Sequence, residues 1–587
     1  MAVVAAQQPQ PSSTNEDSAY QIWDDILIPM RDGGMVSAVV VKKRGSAARL
    51  PTLLTVDIYT DPASEIARAK EAADHGYVGM MADTRGKRLS PDPILPYEHE
   101  ASDGYDVIDW IAKQPWSDGQ VGMRGGSYSG FSAWAAAKKL HPALKTIAVS
   151  AAAIPGDGLP MANNIFLNAN YGWAFYVSDN RLLDEQTYDD PERWRRMRLK
   201  WFASGAPYRN IDQIDGKPNP FLQRWLQHPA YDKYWQDMVP YKQDFAQIAI
   251  PVLTITGYYD DAQQSALDYT KEHYQFNRRA EHYVVIGPYD HFGTHAAQKP
   301  AELRGYTIDT VAQFSTPELV YQWMDYVMRG GPKPALLKDR VDFEVMGANE
   351  WQHAPSLAQM TQRQIPFYFS STMEGGRHVL TRKKGNGTVI ETVDFADRST
   401  WNNVHSYPGS IIETKLEGKI TEMVYASEPF TKEQVISGAF SGELDITLNK
   451  KDADLGLTVF EQLPDGRLFH LAYWLGRASY AGHPEKRILL TPGKATRVPF
   501  FTSVVSRLMV PGSRLVVLLD VDKNPFSQIN YGTGEEVSEE SIKDAGVPLT
   551  VRWHGNGFIN VPFGKLQRSG EFMVQSIETR SSGSNLR

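Results

Sequence analysis

Cysteine is absent from all 587 residues. That excludes disulfide bonds, a thiol nucleophile and any zinc site built on thiolates, although it does not fix a compartment. Long apolar runs are missing as well: the longest are strand-sized, so no segment reads as a membrane-spanning helix. Nor is there an excess of positive charge. The 61 Lys and Arg are outnumbered by 69 Asp and Glu, and the net charge of -8 offers no basic patch for nucleic acid. The remainder describes a globular chain, too long for one ordinary core, for which two or three domains are expected. Neither a nucleic acid nor a membrane is expected as a partner.

The N-terminus carries little. Residues 1–8 lack the charged start and the long apolar stretch of an intact signal peptide. Ala5-Ala6-Gln7 is compatible with the end left by a cleaved export signal, which would make the protein periplasmic or secreted; otherwise it is expected in the cytoplasm. Residues 1–18, rich in Gln, Pro and Ser, read as a disordered tail.

Over residues 19–155 strand-like and helix-like segments alternate. Tyr77 to Ala82 reads as a buried strand, Tyr105 to Ala112 as an amphipathic helix, Val121 to Arg124 as a strand, Gly130 to Leu140 as a helix and Lys145 to Ser150 as the next strand. This rhythm argues an α/β fold with a mostly parallel sheet covered by helices. It breaks over 156–247 into helical segments crowded with aromatic residues, a helical cap whose rings mostly form its own core. Asn168-Ala-Asn-Tyr-Gly-Trp173 is the exception. Asn and Gly among aromatics suit a polar-lined pocket, so Asn168 and Trp173 are candidate substrate contacts. The sheet resumes at 248 and closes with a helix around Thr316 to Arg329, so that 19–155 and 248–333 form one catalytic domain. Gly330-Gly-Pro-Lys-Pro334 then reads as a linker. Beyond it, alternating runs beginning with Val341 to Met346 describe an all-β sandwich over 334–587. An exposed face of that sandwich would allow self-association into a homo-oligomer.

The chemistry is carried by Gly125-Gly-Ser127-Tyr-Ser-Gly130, lying between a strand-like and a helix-like run. A nucleophile elbow holds its serine in a strained turn that needs small neighbours. The glycines supply that space, although the usual G-x-S-x-G would place glycine at 129. A serine needs a base to take its proton and an acid to orient that base. Both follow in the order of an α/β-hydrolase. Pro251 to Thr256 reads as a strand opening into Gly257-Tyr-Tyr-Asp260-Asp261, and His282 to Ile286 as one leading into Gly287-Pro-Tyr-Asp-His291. Ser127, Asp260 and His291 are therefore the expected triad, with Asp261 able to exchange roles with Asp260 as acid or helix cap. The backbone N–H of Tyr128 is the expected first oxyanion donor, and Tyr59, just past the Leu50 to Val56 strand, is a candidate second. His291-Phe-Gly-Thr-His295 has a metal-binding i,i+4 spacing. Gly293 within it, Pro288 before it and the lack of a nearby Glu argue against a continuous metal-binding helix. No metal and no cofactor are expected.

Several stretches together resemble a known family: Ile28-Pro-Met-Arg-Asp-Gly33, Ala82-Asp-Thr-Arg-Gly86, Glu100-x-x-Asp-Gly-Tyr-Asp106, Gln114-Pro-Trp116, the Ser-Tyr-x-Gly130 elbow, His228-Pro-x-Tyr-Asp232 and Met346-Gly-x-x-x-Trp351. The chain resembles, from about Trp23 into its C-terminal third, the cocaine esterase, α-amino acid ester hydrolase and Xaa-Pro dipeptidyl-peptidase-like serine hydrolases, a family that also includes glutaryl acylases. The displaced elbow glycine is that family's variant. The resemblance implies the nucleophile at Ser127, the acid at Asp260, the base at His291 and a phenolic oxyanion donor at Tyr59. It also implies an α/β-hydrolase catalytic domain with a C-terminal jelly roll of galactose-binding-like type.

Departures from the family narrow the substrate. α-Amino acid ester hydrolases place two carboxylates after the catalytic aspartate to hold the substrate ammonium, where this chain has Ala262 and Gln263. A cationic amine would lack counter-charge there unless Asp261 or Asp157 supplied it. Arg88 also stands where the family has glycine. An esterase or acylase acting on a small ester or amide through an acyl-enzyme is expected. α-Amino acid ester hydrolase or dipeptidyl-peptidase activity is the alternative, and a non-catalytic carbohydrate-binding protein a more distant one.

Overall fold

The computed structural model describes residues 19–46, 48–405, 407, 409–413 and 423–566. The expected tail at 1–18 lies outside them. Ten strands form the first sheet: β1 (Tyr20–Pro29), β2 (Met35–Lys43), β3 (Leu50–Asp57), β4 (Val78–Asp83), β5 (Ser117–Gly126), β6 (Leu144–Ser150), β7 (Val252–Tyr259), β8 (His282–Asp290), β9 (Val341–Val345) and β10 (Glu350–Ala354). Their order is β1-β2-β4-β3-β5-β6-β7-β8-β9-β10. The block from β4 to β9 is parallel, with antiparallel strands at both ends.

Two-sided burial explains the composition of the inner strands. Every residue of β4 and β7 is buried, and alternate positions feed different cores. Leu53, Leu253 and Val285 face α1 (Pro62–Asp74) and a helix over Thr316–Arg329, whereas Leu54, Val252 and Val284 face α2 (Glu100–Ala112) and α3 (Tyr128–Ala137). The cap between β6 and β7 contributes α4 (Ala169–Ser178) and α5 (Pro191–Ser204); α6 (Gln263–Phe276) follows β7, and α7 is the Thr316–Arg329 helix. Gly330, at φ 68°, ends α7 in the left-handed turn that glycine adopts freely.

All ten residues of α3 are buried, which its alanine-rich sequence permits. A Cβ on Gly104 of α2 would stand 2.7 Å from that of Ala136, so the two helices meet at closer range than side chains allow. Strand order reverses between β3 and β5, because the chain passes from β4 back across β3 before continuing outward. Such a switch point opens a crevice at the carboxyl ends of the strands. Tyr59 and Ser127 follow β3 and β5 at this point.

Two expectations need correction. The run Val341 to Met346, read as the first strand of the sandwich, instead supplies β9, which pairs in parallel with β8. Its alternating composition is equally suited to an outer strand of the first sheet, and the chain places β10 beside it before crossing over. The cap is also not helical from its start. It opens with short strand pairs, Ile154–Pro155 with Gly158–Leu159 and Met161–Ala162 with Ile165–Phe166, too brief for periodicity to reveal. Its helices begin at Ala169, and their aromatics are mostly core: Phe175, Trp201, Phe202, Trp225 and Trp235 are buried. Beyond Arg363 an all-β sandwich is built from long antiparallel strands such as Gln434–Leu448 and Ala495–Met509.

Close strand contact holds the ends that carry the candidate acid and base. A Cβ on Gly257 of β7 would fall 2.0 Å from the carbonyl oxygen of Tyr289 on β8. Gly257→Ala is therefore expected to destabilise the fold by about 1–3 kcal/mol, read as a lowered urea midpoint. It should also reduce turnover, because the same shift displaces Asp260 from His291.

Candidate active site

β5 delivers Ser127 into the first position before α3, with φ 57° and ψ -118°. Few non-glycine residues tolerate this region, so the turn is strained and its neighbours must be small. A Cβ on Gly125 would lie 2.3 Å from that of Ser129, one on Gly126 2.9 Å from the His295 ring, and one on Gly130 2.9 Å from that of Ala152. The glycines thus admit three different neighbours. The Ser127 N–H donates to Ser150 O at 2.9 Å, which ties the elbow to β6. Tyr128 opens α3, so its backbone N–H belongs to the first turn, where helix amides lack intrahelical acceptors.

Asp260 follows β7 with no exposed side-chain surface. It accepts from Thr256 Oγ1 at 2.7 Å, from the Ala262 N–H at 3.0 Å and from His291 Nδ1 at 3.0 Å. Asp261 Oδ1 is 2.9 Å from the same His291 nitrogen, with 47% of its side chain exposed. Burial opposes a charged imidazole, but the hydrogen bonds it donates to both carboxylates raise His291 well above its usual range. With Nδ1 committed to carboxylates, Nε2 is the nitrogen left to take a proton.

Ser127, His291, Tyr59, Tyr128, Trp173 and Asp261 all line one cavity of about 680 Å³. The Tyr59 phenol shares the cavity with Ser127 and accepts from Trp173 Nε1 at 3.1 Å, and burial raises its pKa, so the hydroxyl stays neutral. Tyr97, Trp173 and Tyr128 extend an aromatic wall, with Tyr97 stacked on Trp173 at 5.4 Å. Phe292, 74% exposed, stands at the cavity beside His291.

Asn168 is not at the cavity. Its Nδ2 donates to Pro525 O at 2.6 Å and its N–H to Phe526 O at 2.8 Å, so it fastens the cap to the sandwich; Asn170 lines the cavity instead. Asp157 lies in a separate cavity and supplies no counter-charge here. Gln263 is buried and exchanges hydrogen bonds with Val504 of the sandwich, Nε2 to O at 2.9 Å and N–H to Oε1 at 2.6 Å. Ala262 and Gln263 therefore leave the cavity without the carboxylate pair of the amino ester hydrolases. His295 sits in a 3-10 turn, its ring perpendicular to that of His291 at 6.2 Å. Burial lowers it to about 4. Among the described residues the one group of three able to hold a metal is Asp260, Asp261 and His291, in which the His291 Nδ1 is already paired with both carboxylates.

Sequence reasoning missed the support behind the elbow. Glu100 is buried at the start of α2, pairs with the Tyr128 hydroxyl and accepts from Thr84 Oγ1 at 3.0 Å. The Tyr97 N–H donates to the same Tyr128 oxygen at 3.0 Å. Burial pushes the Glu100 carboxyl up to about 7 against the hydrogen bond from Tyr128. The Glu-x-x-Asp-Gly-Tyr-Asp stretch was the available signal, but a spacing of this kind does not name its partner.

Comparison with known proteins agrees with this architecture. Residues 32–293 match the X-Pro dipeptidyl-peptidase (S15 family) and residues 336–550 the X-Pro dipeptidyl-peptidase C-terminal non-catalytic domain. A cocaine esterase from Rhodococcus sp. (strain MB1 Bresler) is 23% identical over 563 residues, covering 90% of this chain and 95% of its own. An aminopeptidase from a marine sediment Thaumarchaeota archaeon superposes with a TM-score of 0.75 at 18% identity, over 96% of this chain and 99% of its own. An α-amino acid ester hydrolase does so with a TM-score of 0.74 at 19% identity, over 96% of this chain and 100% of its own. The two matched domains span most of the chain in their proper order, and the chain belongs to the X-Pro dipeptidyl-peptidase (S15) family of hydrolases.

Proposed function

We propose that the protein is a serine hydrolase that cleaves the ester or amide acyl bond of a small, uncharged, partly aromatic substrate through an acyl-enzyme on Ser127. The observation that carries this reading is a strained elbow serine sharing one cavity with a histidine whose Nδ1 is held by a fully buried carboxylate. In the proposed mechanism Ser127 Oγ attacks the acyl carbon while His291 Nε2 takes its proton, and Asp260 holds the imidazole in the required tautomer. The Tyr128 N–H and the Tyr59 hydroxyl receive the oxyanion. His291 then gives its proton to the leaving alcohol or amine, and a water repeats the sequence to release the acid.

The preference for uncharged substrates rests on the wall of Tyr97, Trp173 and Tyr128 and on the roles of Ala262 and Gln263. Cleavage of α-amino acid esters or N-terminal dipeptides is the second reading, favoured by Asp261, which is half exposed at the cavity. Its carboxylate would then serve both His291 and a substrate ammonium.

Reaction with a fluorophosphonate probe tests the central claim. A single adduct by intact mass that vanishes in Ser127→Ala is expected, together with a loss of at least about 10⁴-fold in kcat. An unlabelled wild-type protein, under conditions that label a control hydrolase, would defeat the proposal. Tyr59→Phe should lower kcat by about 10²–10³-fold with a much smaller change in KM; equal activity would remove Tyr59 from the oxyanion site. The role of Asp261 is read from pH. His291 must be neutral to act as base, and two carboxylates raise its pKa, so kcat/KM should climb with pH through a midpoint above the usual imidazole value. Asp261→Asn removes one of them and is expected to move that acid limb to lower pH; an unmoved limb would show that Asp261 does not act on His291.

A further inference from the structure

A second cavity, of about 520 Å³, lies where the start of the cap, α6 and the sandwich meet. The turn over residues 154–159 separates it from the active-site cavity. Ala153 and Leu159 line the first, while Gly156 and Asp157 line the second. Five aromatic residues stand in its mixed lining, Tyr231 from the cap and Trp474, Tyr480, Phe500 and Phe501 from the sandwich, with Trp474 and Phe500 in ring contact at 5.9 Å. Its charges are Asp157, Asp268, Lys271 and Arg477.

The cations among them are already matched. Arg477 is bound through two nitrogens to Asp454 at 2.8 and 2.9 Å, and Lys271 Nζ donates to Asp268 at 2.7 Å. Asp157 has no such partner. Its carboxyl faces that of Asp268, and its backbone oxygen, not its side chain, accepts from Ser265 Oγ at 2.6 Å. Lys271 also shows what this wall accepts, because its ammonium stands 5.0 Å from the centre of the Phe501 ring while paired to Asp268. Phe501 is 49% exposed, so the mouth is open to solvent.

We infer that this cavity is a binding site for an organic cation, an ammonium carried on an apolar body, which Asp157 neutralises while the aromatic side chains receive the body and the face of the charge. An anion would meet the Asp157 carboxyl beside Asp268, with Lys271 and Arg477 already committed to other carboxylates. Among the described residues no three His, Cys, Asp or Glu side chains converge at this cavity, so it offers a small metal ion no ready ligand set. The inference does not depend on the chemistry proposed for Ser127.

Occupancy is linked to protonation. Burial and the neighbouring Asp268 push Asp157 up to about 7, with Lys271 acting in the opposite direction and Glu272 in the same one; Tyr231 lines the cap side, and Arg477 on the sandwich side is tied to Asp454. A cation must displace that proton, so binding should strengthen as pH rises through this range.

The test is calorimetric titration of the full chain with benzyltrimethylammonium at pH 6 and pH 8. One equivalent should bind, roughly tenfold more tightly at pH 8, with proton release at the lower pH. Asp157→Asn should weaken binding by at least about tenfold and flatten its pH dependence. Lys271→Met, which removes the resident ammonium, should tighten it, a gain that misfolding cannot mimic; thermal melts confirm that both variants are folded. The inference is overturned if neither wild type nor Lys271→Met binds at millimolar concentration, or if Asp157→Asn binds as wild type does. Equal affinity for benzyl alcohol would overturn it too, since that would mark an apolar pocket indifferent to charge.

Discussion

A buried carboxylate must be compensated from every side, and Asp260 sets that requirement for the carboxyl end of the sheet. Its three donors come from separate pieces of chain: Thr256 within β7, the backbone ahead of α6, and His291 beyond β8. Satisfying one side chain therefore fixes the start of a helix and the relative position of two loops. The elbow on β5 and the phenol after β3 have no bond to Asp260, yet they inherit its placement through a continuous parallel ladder.

The catalytic candidates were legible because their signals are local. An elbow needs glycines in sequence, and a residue at a strand end is recognised from the apolar run before it. The sheet was legible for a related reason, since two-sided burial leaves uninterrupted apolar runs. What escaped depends on contacts between distant segments. Asn168 has the residue type of a pocket contact but meets the Pro525–Phe526 backbone more than 350 positions away. Asp261 reads as an alternative to Asp260, yet the two approach the same imidazole nitrogen. Val341 to Val345 has the alternation of a sandwich strand; its partner, not its pattern, assigns it to the first sheet.

The same distinction applies to the cap. Lys87 is wholly buried, and its ammonium donates to the carbonyl oxygens of Val177, Asn180 and Leu182 at 2.8, 2.9 and 3.2 Å. It caps the C-terminal end of α4, where the helix dipole favours a cation. Trp173 lies on that helix, so a loop that lost the glycine expected at 88 still delivers, one residue earlier, the charge that seats the aromatic wall. Behind the serine, Glu100 plays a comparable part by holding the Tyr128 hydroxyl from outside the cavity lining.

The pairing of β9 with β8 alters where this molecule can be divided. A fragment ending at the Gly330 to Pro334 punctuation would leave β8 as its outermost strand. Val284, Val285 and Ile286 would then present unpaired amides and carbonyls along an apolar edge, the arrangement that recruits other chains into sheets. A cut at that punctuation in the intact protein would have a different result, because the severed halves would still share a ladder. What resembles a linker in sequence is a bridge within one folded unit, and neither half is a natural truncation product.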